Sequence, residues 1–217
     1  MMERQEMQAV LSRSAELDRA IRPLLHLQIP PLLHRQHCSR ILAAVAHEHA
    51  ESVRMLIANG NATSALGVLR MQFESLVKAV WTFYAASDAI IERLDTELSS
   101  VSSKWADHLP ALGVMLEHLE HKGPKIMAQS LRLFKELSWR PLSAFVHGGI
   151  HAVSRSSQGY PPSLLEQALR FSNGLLVMTA HLMVALHGHV GPEDIRLTLI
   201  HRTFADCLPP HGGLAVV

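Results

Sequence analysis

Apolar residues along this chain recur at three- and four-residue intervals and show no sustained alternation bounded by turn residues, a pattern that predicts helices and almost no strand. The first predicted helix runs from about Glu3 to Leu27, with Val10, Leu17, Ile21 and Leu24 on one face, until Ile29-Pro30-Pro31 stops it. Pro31 suits the first turn of a second helix carrying Leu32, Cys38, Ile41, Leu42, Val45, Val53, Leu56 and Ile57, which ends at Asn59-Gly60. Thr63 or Ser64 is placed to cap a third helix over Ala65–Ala86, and Ser87-Asp88 opens a fourth that reaches Ser100. Ser99–Pro110 reads as a loop, Leu112–His121 as a short helix closed by Gly123-Pro124, and Lys125–Ser138 as another, broken at Trp139-Arg140-Pro141. A second loop is expected over Ser154–Pro162, then a long apolar helix over Ser163–His187 and a last one over Pro192–Cys207.

Roughly six to eight helices with short connections make an all-α, antiparallel multi-helix bundle. The helix over 163–187 has two apolar seams, one through Leu164, Ala168, Phe171, Leu175 and Leu182 and one through Leu165, Leu169, Leu176 and Met183. This places it in the middle of the bundle or at a dimer seam. The chain reads as one helical-bundle domain over residues 1–208 with a frayed, flexible tail over 209–217, and it carries no internal repeat.

Composition narrows the class. Of 217 residues, 48% are hydrophobic and 18% charged, which excludes general disorder, and the net charge of +1 excludes extended coating of a polyanion. Two cysteines, Cys38 and Cys207, exclude a disulfide framework and a CxxC metal knuckle. A charged N-terminus without an apolar core, and an apolar stretch over 174–186 too short for a bilayer and interrupted by His181, predict a cytoplasmic protein with no membrane partner. No motif calls for a cofactor.

Chemistry enters where polar residues stand on apolar faces. On the third helix, Leu66, Leu69, Phe73, Val77, Val80 and Tyr84 share one stripe, and Arg70 projects inside it between Val77 and Trp81. A guanidinium there must be paired or lie at a cleft; Glu74, one turn on, is the partner, and Lys78 extends the ladder. The pair reads either as a structural tie between helices or as one wall of a functional cleft.

The second place is SWRPLSAFVHGGIHAVSR. In a helix from Arg140 to His151, Arg140, Ser143, His147 and His151 share one arc, with Leu142, Phe145, Val146 and Ile150 opposite. Arg140 before Pro141 suits an N-cap, with the helix starting at Pro141. Gly148-Gly149 either terminates that helix or allows another backbone to approach it. His147 and His151 have the i,i+4 spacing of a zinc pair, but Gly148 stands where HExxH needs Glu. Polar residues bonded across a helix or dimer seam, and phosphoryl-transfer or nucleic-acid chemistry, are the other readings.

Arg140, six intervening residues and His147 match the Arg-x4–6-His motif of HEPN (higher eukaryotes and prokaryotes nucleotide-binding) domains. With the earlier Arg-xxx-Glu helix, residues 65–189 resemble uncharacterised bacterial HEPN-like proteins, some related to abortive-infection systems. The resemblance implies an all-α bundle, commonly a homodimer, with Arg and His of two protomers meeting in a cleft that cleaves RNA without metal. His147 would then be the general acid or base and Arg140 the group that stabilises charge on the phosphate, supported by Arg70, Glu74, Ser143 and His151. The implied function is a ribonuclease, or an RNA- or nucleotide-binding effector in defence or stress. Active members place a polar residue directly after the Arg, where this chain has Pro141, so a non-catalytic relative stays open. The alternative from another class is a non-enzymatic helical dimer acting as an interaction or ligand-binding module.

The other histidines read as structural. His47 and His49 cannot share a face, and His34 and His37 beside Arg35 and Arg40 read as a solvated basic surface. His118 and His121 sit at a helix end, and His181, enclosed by Thr179, Leu182 and Met183, reads as a satisfied core histidine.

Overall fold

The computed structural model describes residues 2–27, 33–94, 109–188 and 192–210. These form nine α-helices and no strand among the described residues: α1 (Met2–Leu25), α2 (His34–Ala58), α3 (Ala62–Tyr84), α4 (Asp88–Leu94), α5 (Leu112–Lys122), α6 (Lys125–Val146), α7 (Ile150–Gln158), α8 (Pro162–His187) and α9 (Pro192–Thr203), with a 3-10 turn at Ala205–Cys207. The all-α multi-helix bundle expected from the periodicity is present. Pro30-Pro31, the end of the fourth predicted helix, most of the Ser99–Pro110 loop and the last seven residues of the tail lie outside the described residues.

Two cores organise the bundle. The larger is built on α3, whose Leu66, Leu69, Phe73, Leu76, Val77, Val80 and Trp81 are all buried against α2, α5, α6 and α8. The smaller joins Leu17, Ile21 and Leu24 of α1 to Leu176, Val177, Ala180 and Val184 of α8 and Leu197 and Ile200 of α9. Helix α8 serves both cores, so its circumference is apolar nearly all round. By length and composition α8 could cross a membrane, and 78% of its most apolar stretch is buried inside the bundle.

Of the apolar residues expected along α2, Cys38, Val53 and Ile57 are buried, and small residues take the place of the others on the buried row. Ile41 is 48% exposed, and the buried row is Ser39, Ala43, Ala46, Ala50, Val53 and Ile57. Small side chains let the two backbones approach closely, and the Ser39 hydroxyl donates to the Ala79 carbonyl across the seam at 2.8 Å. Arg35 is not part of a solvated basic surface. Its Nη1 donates to the carbonyls of Thr82 (2.9 Å) and Ala86 (2.8 Å), closing the C-terminal end of α3, and its Nη2 pairs with Asp88.

The end of α2 follows the sequence. Gly60 takes φ +77°, its N–H donates to Ile57 O (3.1 Å), and Asn61 N–H donates to Leu56 O (2.8 Å), the paired bonds of a Schellman motif. The start of α3 does not: Asn61 is the N-cap, without a side-chain cap bond, and the Thr63 hydroxyl instead meets Tyr160 Oη at 2.6 Å.

The largest departure is α6, which runs unbroken through Trp139-Arg140-Pro141 to Val146. Pro141 removes one backbone donor and leaves the Leu137 carbonyl without its helical partner. Leu137 and Pro141 are both exposed, so that carbonyl lies on the solvated side while Ser138 and Leu142 hold the opposite side in the core. Arg140 is therefore inside a helix rather than at an N-cap. Residues 154–158, expected in a loop, form the second half of α7, and the last predicted helix splits at Thr203 into α9 and the 3-10 turn.

Candidate functional site

The glycine pair is where the chemistry-bearing segment changes direction. α6 ends with His147 as its C-cap, Gly148 takes φ +63°, and Gly149 N–H returns to Ala144 O at 2.7 Å. A Cβ on Gly149 would stand 3.1 Å from Ala144 Cβ and 3.2 Å from its Cα. The pair terminates the helix: Gly148 supplies the left-handed turn, and Gly149 lets the chain fold back against Ala144 of the same helix rather than admitting another backbone. The break also dissolves the predicted arc: His151 belongs to α7, its ring centroid 6.4 Å from that of Phe145, and the i,i+4 zinc spacing with His147 no longer exists.

His147, freed from that arc, meets α3. Arg70 Nη1 donates to His147 Nε2 at 3.2 Å, while Arg70 Nε donates to Glu74 Oε1 at 2.8 Å. Since a guanidinium only donates, Nε2 is the acceptor in this contact. The Arg70 Cζ lies 4.3 Å from the centroid of Trp139, a cation–π contact. Behind it stands an aromatic stack, with the Phe73 ring 6.2 Å from Trp139 and 4.5 Å from Phe134. The Arg70 side chain is 15% exposed and that of Glu74 28%, and His147 is exposed. Arg70 and Glu74 are thus the ion pair expected from their spacing, fixed by the wall of the core and open on one side. Lys78 makes no ion pair with Glu74 among the described residues.

The remaining expected members stand apart. Arg140 is exposed on α6 and makes no hydrogen bond or ion pair among the described residues. The Ser143 hydroxyl donates to the Trp139 carbonyl at 2.7 Å, one turn back in the same helix. Just past His147, Gly149 is the N-cap of α7 and offers no side chain, so the leading N–H groups of that helix have no side-chain acceptor. A basic side chain beside an uncapped helix N-terminus suits an anion, and the accepting imidazole suits a proton donor next to it.

A second cluster escapes the sequence reading. His47, which cannot share a face with His49, instead places its Nε2 2.8 Å from Asp18 Oδ1, joining α2 to α1. Asp18 Oδ2 accepts from Arg22 Nη2 (2.8 Å) and faces Arg54 Nη2 (3.6 Å); the same Arg22 nitrogen reaches Glu51 Oε1 at 2.6 Å. Burial would push the Asp18 carboxyl up, but the hydrogen bonds from His47 and Arg22 and the charge of Arg54 hold it down to about 2. Asp18, His47 and Glu51 have ligand atoms mutually within 4.8 Å, the one grouping of metal-ligand type among the described residues. Two guanidinia already balance its two carboxylates, which makes it an ion network tying α1 to α2 rather than a preformed cation cage. His181 also departs from expectation: its Nε2 is buried without a hydrogen-bond partner among the described residues, and burial followed by nearby His201 pushes its pKa down.

A family model covers residues 43–210, from the middle of α2 to beyond the 3-10 turn. The chain belongs to DUF6988, a family of unknown function. No curated protein and no solved structure matches the chain. The DUF6988 region contains Arg70, Glu74, Trp139, Arg140, His147 and α7 in full. It includes His47 and Glu51 but not Asp18, so the ion network straddles its edge while the Arg70–His147 cluster lies wholly inside.

Proposed function

We propose that this DUF6988 chain is a HEPN-like protein that binds RNA or nucleotide phosphate at the Arg70–His147 cluster and cleaves RNA without metal. The observation that carries the reading is the 3.2 Å contact between Arg70 Nη1 and the exposed His147 Nε2. An arriving phosphate oxygen would take the Arg70 N–H, and the released Nε2 lone pair would accept the proton of a ribose 2′-hydroxyl as its oxygen bonds phosphorus and the P–O5′ bond breaks, leaving a 2′,3′-cyclic phosphate, with water protonating the departing 5′-oxygen. In this arrangement Arg70, rather than Arg140, is the cation beside the base. Arg140, exposed on α6, serves the flanking phosphate, and Glu74 holds Arg70 in place.

The test is cleavage of varied RNAs by the purified protein in the presence of chelator, alongside His147→Ala, Arg70→Ala and Arg140→Ala. Cleavage by the parent that falls roughly 100-fold or more in His147→Ala supports the reading. A parent inactive on every RNA, or a His147→Ala variant as active as the parent, overturns it.

A non-enzymatic helical homodimer is the second reading, and it rests on α7, where Ile150 is 79% and Val153 66% exposed beside the cluster. A dimer in solution that Ile150→Lys converts to monomer, in a protein without RNA cleavage, would favour it.

A further inference from the structure

We propose that the recess between α3, α6 and α8 is a binding site for a small, uncharged, mostly apolar molecule bearing one hydrogen-bonding group, held by Ser138. The recess has a volume of about 260 Å³, with Leu69, Leu142, Phe145 and Phe171 among its walls and no charged residue in its lining. None of Arg70, Glu74, Trp139 and His147 lines it, so it is separate from the cluster above. Apolar cavities of about 150 Å³ accept benzene, so this space takes a molecule of about two fused rings. Charge on the ligand would find no counter-charge here, and its desolvation would go uncompensated.

Ser138 gives the space its polarity. The residue is 7% exposed, it lines the recess, and its hydroxyl makes no hydrogen bond among the described residues. A helical serine ordinarily returns its proton to the carbonyl one turn back, as Ser143 does on the same helix. Ser138 makes no such return bond among the described residues, and its hydroxyl is open at the recess, where a ligand group would take the place of water. Gln167, exposed on α8, is the other polar residue of the lining and sits where a ligand enters.

The probes are 1-naphthol, naphthalene and 1-naphthoate, titrated into the full chain by calorimetry or equilibrium dialysis. The parent should bind one 1-naphthol per chain saturably, roughly 3- to 10-fold tighter than naphthalene, with 1-naphthoate weaker than 1-naphthol. In Ser138→Ala the preference for 1-naphthol over naphthalene should vanish while naphthalene affinity holds. Ala168→Leu, which grows into the recess, should abolish binding of all three; if circular dichroism shows that this variant fails to fold, the Ser138→Ala comparison decides alone. The proposal is overturned by absence of saturable binding to the parent, by a 1-naphthol preference that survives in Ser138→Ala, by unchanged binding to folded Ala168→Leu, or by 1-naphthoate binding as tightly as 1-naphthol.

Discussion

Replacing Asp18 with asparagine should change how the protein responds to acid more than any other single substitution in α1. Asp18 is 2% exposed and receives hydrogen bonds from His47 and Arg22, with Arg54 nearby. Its carboxyl is held at about 2, against an ordinary 3.8. A carboxyl whose folded pKa lies below its unfolded one binds fewer protons in the native state, so it stabilises fully above about pH 4 and loses that contribution as pH falls towards 2. At about 1.4 kcal/mol per pH unit the gap corresponds to roughly 2 kcal/mol. The asparagine amide would keep the shape but not the charge, leaving Arg54 without its carboxylate and Arg22 with Glu51 alone, for a loss of about 2–3 kcal/mol at pH 7. Urea unfolding followed by circular dichroism, repeated from pH 7 down to the lowest pH at which both proteins fold, measures both quantities. Carboxylates outside the network titrate in parent and variant alike, so the difference between the two curves reports Asp18 and its network partners. Stability differing at pH 7 and converging by roughly 2 kcal/mol towards pH 2 is the expected result. Parallel curves would show that the network does not hold the carboxyl down and would refute the reasoning.

Two further outcomes follow from local geometry. Gly148→Ala places a Cβ at φ +63°, where the surroundings are open, so the conformation alone should cost about 1–2 kcal/mol; Gly149→Ala should cost more, because its Cβ would press on Ala144, and thermal melts of the two variants check the order. Cys207 is fully buried and its thiol is pushed up to about 11, mainly by burial, and Cys38 is buried as well; a thiol reagent at pH 8 should therefore titrate no cysteine in the native protein and two in denaturant, and rapid native labelling would contradict that.

The parts of the molecule readable in the sequence are those encoded within one helix. The α3 stripe, the Arg70–Glu74 pair and the Asn59-Gly60 stop each depend on residues one or two turns apart, where the 3.6-residue period fixes direction. The α2–α3 seam is not readable because its contact row is mostly alanine and serine, which contribute little apolar signal while Ile41 contributes much. Pro141 carries a local preference against helix, which the packing of Ser138 and Leu142 outweighs. The two clusters escape for a common reason: Arg70 meets His147 across 77 positions of sequence and Asp18 meets His47 across 29, and no periodicity reports such meetings. Comparing His47 with His49 looks only along its own helix, whereas its partner belongs to another.

The buried polar bonds between helices have a consequence for folding. Gln72 Nε2 donates to Ser172 O while the Ser172 hydroxyl donates back to Gln72 Oε1, fixing α3 against α8. Next along α8, Asn173 donates from one nitrogen to Ser14 Oγ of α1 and to the Cys207 carbonyl, and Ser39 binds Ala79 O between α2 and α3. Alanine, leucine and valine would accept many alternative alignments of these helices with similar burial. A helix slid by one turn would instead strand several of these groups in the interior, at roughly 1–3 kcal/mol apiece. The bonds therefore act as a proofreading code: they add modestly to the stability of the correct assembly and weigh heavily against compact misalignments, which narrows the folded ensemble to one registry.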